Sequence, residues 1–182
     1  MPAEVGAAPG GVDLEDSVES GKSDRGAAMP PRIDSVIFAR QGESLGGRLA
    51  LSGMSRLLAA GVAPEGEIEW QVRGFSGLDD LQRRREFLQA QTRFAPWMTC
   101  SKCLEPVQVH GLASNTRFRL AATEKQAEQE DRESETDEVI AADPGLDLAA
   151  LVEDEAILAL PMAPTHPDCV WDATVSAGSG DV

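Results

Sequence analysis

Three cysteines and one histidine occur in two pairs whose spacing suits a metal ion. Cys100 and Cys103 form a C-x-x-C pair, and His166 and Cys169 repeat this spacing as H-x-x-C much later in the chain. Together they offer three thiolates and one imidazole, the donor set of a closed tetrahedral structural zinc site. The set uses all three cysteines of the chain and one of its two histidines. A structural zinc ion held by these four residues is therefore our first hypothesis.

Two other interpretations of the cysteines stay open on the sequence. The two pairs are further apart than in compact zinc modules, so free thiols with a packing role are the main alternative. A redox role is weaker, because a thioredoxin-like C-x-x-C must open a helix whose N-terminus lowers the pKa of the first thiol. Here Pro106 to Val109 follows the pair and is typical of a strand.

No motif for catalysis accompanies these residues. The chain contains no Walker loop, no nucleophile elbow and no H-E-x-x-H sequence. The second histidine, His110, is predicted on the exposed side of a strand beside Gln108. We therefore expect no enzyme, no catalytic residue and no bound organic cofactor.

The charge of the chain favours a basic partner. The formal net charge is −15 at pH 7, which repels phosphate backbones at long range and disfavours RNA contact without excluding it. The one basic cluster is Arg83, Arg84 and Arg85, with Arg73 on a neighbouring strand. These arginines are either a small RNA-contacting patch or a solvated turn, and the second interpretation is favoured.

One carboxylate stands where an apolar residue is expected. A helix is predicted from Asp147, as N-cap, to Leu160, where Pro161 stops it. Glu155 falls within the apolar stripe of this helix, whereas Glu153 and Asp154 are predicted to face solvent. An unpaired buried carboxylate costs several kcal/mol, so Glu155 needs a partner, a hydrogen-bond network or a wet environment. Arg56 is our choice of partner.

The remaining patterns predict an α+β fold, mostly antiparallel sheet with a few short helices. Alternating apolar and polar residues predict strands over 67–73 and 87–94, joined by a turn at 77–80. Further strands are predicted at 36–39, 107–110 and 116–120. A short helix is predicted after Ser52 as its cap, with Gly61 at its end.

Three segments lack an apolar face. Residues 1–31 and the tail 173–182 are predicted to be disordered. The acidic stretch 121–143 is predicted to be a solvated, flexible loop, with a phosphate mimic that shields a basic protein as the alternative. No export signal and no membrane span is predicted, so we expect a cytoplasmic protein without a membrane partner.

Two stretches of the chain resemble the YceD family. The first is Met98 to Pro106, a cysteine pair followed by Leu104 and Pro106. The second begins at Asp147-Leu148, continues through Leu151 to Glu155 and Ile157 to Pro161, and ends with Pro164, His166 and Cys169. Arg56-Leu57 after the Gly46-Gly47 loop fits as well. The likeness covers roughly residues 32 to 172 as one domain and leaves out the N-terminal extension.

The resemblance implies a role in the synthesis, processing or stability of large-subunit ribosomal RNA. No catalytic activity is attached to the family, so we expect a binding protein. Its partner would be a ribosomal protein or a large-subunit precursor particle. The alternatives are direct RNA binding through the Arg83 to Arg85 patch and a zinc-stabilised interaction module of unrelated role.

Overall fold

The computed structural model describes residues 29–134 and 136–169. Within these ranges the elements follow one another as strands, short helices and one 3-10 turn. In chain order they are β1 (Arg32–Ile33), α1 (Ser35–Gln41), β2 (Ser44–Ala50), a 3-10 turn (Leu51–Gly53), α2 (Ser55–Ala59), β3 (Glu67–Leu78), β4 (Arg84–Phe94), β5 (Trp97–Thr99), β6 (Pro106–Gln108), β7 (Leu112–Ala121), α3 (Glu124–Glu133), β8 (Glu138–Ala141), β9 (Leu146–Asp147) and α4 (Leu148–Leu158).

The centre of the molecule is a five-stranded sheet in the order β2-β3-β4-β7-β8. The first four strands run antiparallel, and β8 lies parallel to β7 after the crossover through α3. The predicted hairpin is present, with Val72 paired to Ala90. Two small antiparallel ribbons, β1-β9 and β5-β6, complete the fold. The α+β class with mainly antiparallel sheet is therefore confirmed.

The main core lies on one face of this sheet. Ile68 and Val72 of β3 and Leu88 and Ala90 of β4 are fully buried there, as their period-2 spacing predicts. Helices α1, α2 and α4 cover this face, and residues from all three belong to the same apolar cluster. α4 begins at its predicted N-cap, because the Asp147 side chain accepts hydrogen bonds from two backbone N–H groups of the first turn.

Helix α3 covers part of the opposite face, where a solvated loop had been predicted. Residues 124–133 form this helix and 138–141 form β8, so the prediction of an irregular acidic loop over 121–143 is wrong. Thr123 caps α3, and Ala127 packs with Ala121 and Val139 in a small second cluster. This cluster contains only one buried residue of α3, too few to give the helix an apolar face that a sequence pattern would reveal. Further attachment of this segment to the sheet comes from ion pairs between its acids and the arginines of β4 and β7.

Two local predictions are corrected by helix capping. Residues 36–39 belong to α1 and not to a strand, because Asp34 caps the first turn and Gly42 adopts a left-handed conformation at the end. Ser52 does not cap α2: it lies in the 3-10 turn, and Met54 precedes the helix without any side-chain cap of its own. The cap of α2 is supplied by Glu153 of α4.

The segments predicted to be disordered fall almost wholly outside the described residues, which begin at Met29 and end at Cys169. Within the described part of the chain, no helix has the length and apolarity needed to cross a membrane.

Gly74 of β3 provides a sharp test of the contact between α1 and the sheet. A Cβ atom at this position would lie 2.6 Å from Ala39 Cα and 2.7 Å from the Phe38 carbonyl oxygen. Because both neighbours are backbone atoms, Gly74→Ala should lower the free energy of unfolding by about 2–3 kcal/mol. Gly53→Ala is the control, since nothing lies within 4 Å of its Cβ position. Equal urea midpoints for the two variants would contradict the close approach.

Candidate metal centre

The four predicted metal ligands come together in the structure. Cys100 and Cys103 lie in the turn of the β5-β6 ribbon, and His166 and Cys169 lie in the loop that follows α4. One donor atom from each residue can be chosen so that all four lie within 4.8 Å of one another. The two half-sites are 63 residues apart in sequence at their nearest ligands, so tertiary structure alone produces this convergence.

The separations between these donor atoms suit a tetrahedral ion. The Sγ atoms of Cys100 and Cys169 are 3.8 Å apart, and Cys103 Sγ lies 3.5 Å from His166 Nδ1. A tetrahedral zinc ion with ordinary Zn–S and Zn–N bond lengths places two sulfurs about 3.8 Å apart and a sulfur and nitrogen about 3.5 Å apart. Two of the donor separations therefore match those of a tetrahedral zinc site, and no pair of donors is more than 4.8 Å apart. These four side chains would hold the ion.

Hydrogen bonds to backbone groups orient the candidate ligands without a metal ion. His166 Nε2 lies 3.0 Å from the Pro106 carbonyl oxygen, and because a carbonyl only accepts, Nε2 carries the proton. Nδ1 is then left with the lone pair that faces Cys103. The two half-sites are also joined directly, since Ser101 N–H donates to the Pro164 carbonyl at 2.8 Å. Leu104, between Cys103 and strand β6, adopts a positive φ of 64° that closes the turn.

The same surroundings shift the ionisation of the ligands. Backbone N–H groups of Cys103, Lys102 and His166 lower the pKa of Cys100 to about 5, although burial acts in the opposite direction. Burial, and then the neighbouring Cys103 and Cys100, raise the pKa of Cys169 to about 11. The Pro106 carbonyl and then Cys100 raise the pKa of His166. Cys100 is thus the preformed thiolate of the cluster, the ionisation state in which cysteine binds metals.

Glu155 is buried, which rules out the wet environment, and its partner is not Arg56. Its side chain is 2% exposed, and its Oε2 accepts a hydrogen bond from Thr116 Oγ1 of β7 at 2.5 Å. Arg56 pairs instead with Glu153 and Asp154 of α4. Glu155 faces Thr116 in the sheet, whereas Arg56 on α2 contacts the two residues of α4 that precede Glu155. The choice of Arg56 as partner of Glu155 is therefore wrong.

Glu153, predicted to be solvated, is buried and caps another helix. Its Oε1 accepts hydrogen bonds from the backbone N–H groups of Arg56 at 2.7 Å and Leu57 at 3.1 Å. These are N–H groups in the first turn of α2, which has no side-chain cap of its own. The signal that could have identified Glu153 was the absence of a capping residue directly before α2.

The Arg83 to Arg85 patch is organised around a buried aspartate that the sequence analysis had assigned only to a turn. Asp79 Oδ1 accepts from the backbone N–H groups of Leu81 and Arg83, and its Oδ2 pairs with the guanidinium groups of Arg83 and Arg85. Burial raises the pKa of Asp79, but the hydrogen bonds from Arg83 and Arg85 prevail and lower it to about 2. Arg85 also pairs with Glu130 of α3.

These pairs leave little free positive charge in the patch. Of its three arginines, only Arg84 forms no ion pair with an acid among the described residues. Direct RNA contact by this patch stays a prediction, and the phosphate groups of an RNA would have to compete with Asp79 and Glu130 for two of the three guanidinium groups.

The zinc hypothesis makes a stoichiometric prediction. Protein purified without added metal should carry about one equivalent of zinc, and Cys100→Ser or His166→Asn should carry less than about a tenth of that. His110→Asn is the matched control, because His110 is the only other histidine and lies outside the cluster. Elemental analysis measures the metal directly. If the wild-type protein contains no zinc, the hypothesis is wrong and the three cysteines are free thiols with a packing role.

The cap supplied by Glu153 predicts an unequal response of two neighbouring acids. Glu153→Ala leaves two N–H groups of α2 without partners, that of Leu57 buried and that of Arg56 partly buried, and should lower the free energy of unfolding by about 2 kcal/mol. Asp154→Ala removes an ion pair of a half-exposed side chain and should cost less than about 1 kcal/mol. Chemical denaturation of both variants tests this, and similar losses would show that Glu153 acts only as a surface charge.

Comparison with known proteins gives one match. The family model described as "Large ribosomal RNA subunit accumulation protein YceD" matches residues 88–180, just over half of the 182-residue chain. No curated protein and no solved structure gives a significant match. The matched stretch contains both ligand pairs, the strand that carries Thr116, and the helix that carries Glu153 and Glu155. The chain belongs to the YceD family of large ribosomal RNA subunit accumulation proteins.

Proposed function

We propose that this protein supports the synthesis, processing or stability of large-subunit ribosomal RNA by binding, and not by catalysis. Its partner is a ribosomal protein or a large-subunit precursor particle. The observation that carries the proposal is membership of the YceD family, whose description names accumulation of this RNA.

The charge of the chain supports a basic protein as the direct partner. With a net charge of −15, the protein attracts basic polypeptides and repels free RNA at the ionic strength of a cell. Proteins that bind RNA phosphates carry basic surfaces, and an acidic protein can bind such a surface before the RNA does. An acidic holder of such a protein would support accumulation of the RNA indirectly.

The four buried acids among the described residues support a role without catalysis, because each is bonded within the fold, Asp137 to Arg117. Asp79 organises the β3-β4 turn, Glu153 caps α2, and Glu155 accepts a hydrogen bond from Thr116. A general acid or base would need a cleft and a second reactive group beside it. The four-ligand cluster also fits a structural centre, since three thiolates and one imidazole complete a tetrahedral shell and leave no position for a substrate.

Depletion of the protein tests the proposal. When its gene is placed under a repressible promoter, the ratio of large-subunit to small-subunit ribosomal RNA should fall as the protein disappears, because only one of the two RNAs depends on it. Quantitative hybridisation of both RNAs measures this ratio, and a plasmid copy of the wild-type gene should restore it. An unchanged ratio at several growth temperatures would contradict the proposed function.

A further inference from the structure

A groove runs along the outer edge of the central sheet, beside β8. It has a volume of about 640 Å³ and lies between α3 on one side and the first half of α4 on the other. β8 is the last strand of the sheet in the described part of the chain, and no strand pairs with its outer side there. The groove therefore exposes a strand edge between two helices.

The walls of this groove are acidic. Six acids line it and no basic residue does; they are Glu124, Glu128, Asp131, Asp143, Asp147 and Asp154. Two of them have counterions outside the lining, since Asp147 pairs with Arg32 and Asp154 with Arg56. Glu124 and Glu128, on the exposed side of α3, form no ion pair with the described residues. The local charge thus calls for a cationic occupant.

The floor of the groove is apolar, and part of the outer backbone edge of β8 is already hydrogen-bonded. Val139, Ala141 and Leu151 contribute to it. The N–H of Ala142 donates to Ala121 of β7, while the N–H of Val139 points away from β7 and donates to the Asp131 side chain. Ala141 has the same orientation as Val139, so its N–H and C=O groups face outward. The next outward-facing residue, Asp143, is already bonded to Ser35 of α1, so Ala141 is the position of this edge that a partner can pair with.

We propose that this groove binds an extended basic segment of a protein, which pairs with the outer edge of β8 at Ala141. Main-chain hydrogen bonds to Ala141 would hold the segment in register, and its lysine or arginine side chains would face the acids of α3 and α4. The inference rests on the proposed function and identifies the surface by which a basic ribosomal protein would be held.

An RNA strand is a poorer occupant of the same groove. Its phosphates would meet the six acids without a basic side chain in the lining to receive them. A second copy of this chain is disfavoured as well, because its net charge of −15 has the same sign as the groove. A short apolar floor between acidic walls matches a segment in which basic residues alternate with small apolar ones.

Binding of a defined peptide to the full chain tests the inference. The probe is a fluorescent peptide of alternating lysine and valine, measured by anisotropy, with a glutamate–valine peptide as its negative control. Replacing Glu124→Gln together with Glu128→Gln should weaken binding about fivefold or more, because two attractive charges are removed. Hydrogen exchange of the complex should show new protection of the Ala141 amide.

The matched control is Glu65→Gln together with Glu67→Gln. Both residues are exposed, they lie towards the opposite edge of the sheet, and their replacement changes the net charge by the same amount. This variant should bind the peptide within about twofold of wild type. If both double variants weaken peptide binding equally, the peptide is attracted by the overall charge of the chain, and the proposed binding in the groove is wrong. Unchanged affinity in both, or protection of the Ala141 amide by an oligoribonucleotide in place of the peptide, would overturn it too.

Failure of this inference is distinguishable from failure of the proposed function. If depletion lowers the ratio of the two ribosomal RNAs but the peptide does not bind, the groove is wrong and the proposed function stands. If depletion leaves the ratio unchanged, the proposed function fails, whereas peptide binding still decides the groove. When both hold, the Glu124→Gln, Glu128→Gln chain should fail to restore the RNA ratio and the Glu65→Gln, Glu67→Gln chain should restore it.

Discussion

Helix α4 carries two carboxyl groups that the fold removes from water, and leaving either without hydrogen bonds there would be costly. Glu153 receives them from the first turn of α2, and Glu155 receives one from Thr116 in β7. These bonds fix both the rotation of α4 about its axis and its height above the sheet. The C-terminal end of the helix then delivers His166 and Cys169 to the β5-β6 ribbon, and its N-terminal half forms one wall of the groove beside β8.

The opposite face of the sheet is held by charge as well as by apolar burial, since the buried Phe87 stacks on Phe75 there. Arg119 of β7 is 4% exposed and lies near both Asp79 and Glu130, while Arg117 pairs with the buried Asp137. Only Ala121, Ala127 and Val139 form the small apolar cluster beneath α3. Ion pairs that are partly removed from solvent hold α3 against the sheet, because breaking either partner would leave a charge unpaired. The acidic wall formed by Glu124 and Glu128 depends on this attachment.

The metal centre and the groove lie at different ends of α4 and have separate tasks. A zinc ion held by the four ligands would connect the β5-β6 turn to the chain after α4 and so restrain the C-terminal half of the described domain. The groove supplies the acidic walls on which the proposed binding of a basic segment depends.

Much of this could be predicted from sequence because its cause is local. The period-2 pattern of 68–72 and 87–94, the Asp147 cap and the ligand spacing of Cys100, Cys103, His166 and Cys169 all depend on neighbours a few residues away. What the tertiary structure decided were pairings across long separations. From the sequence, Arg56 could pair with any of several acids of α4. The packing of α2 on α4 brings it to Glu153 and Asp154, whereas Glu155 accepts a hydrogen bond from Thr116. The acidic stretch 124–133 has no apolar face of its own, so it becomes a helix on this sheet because Arg85 and Arg119 reach Glu130 from strands distant in sequence.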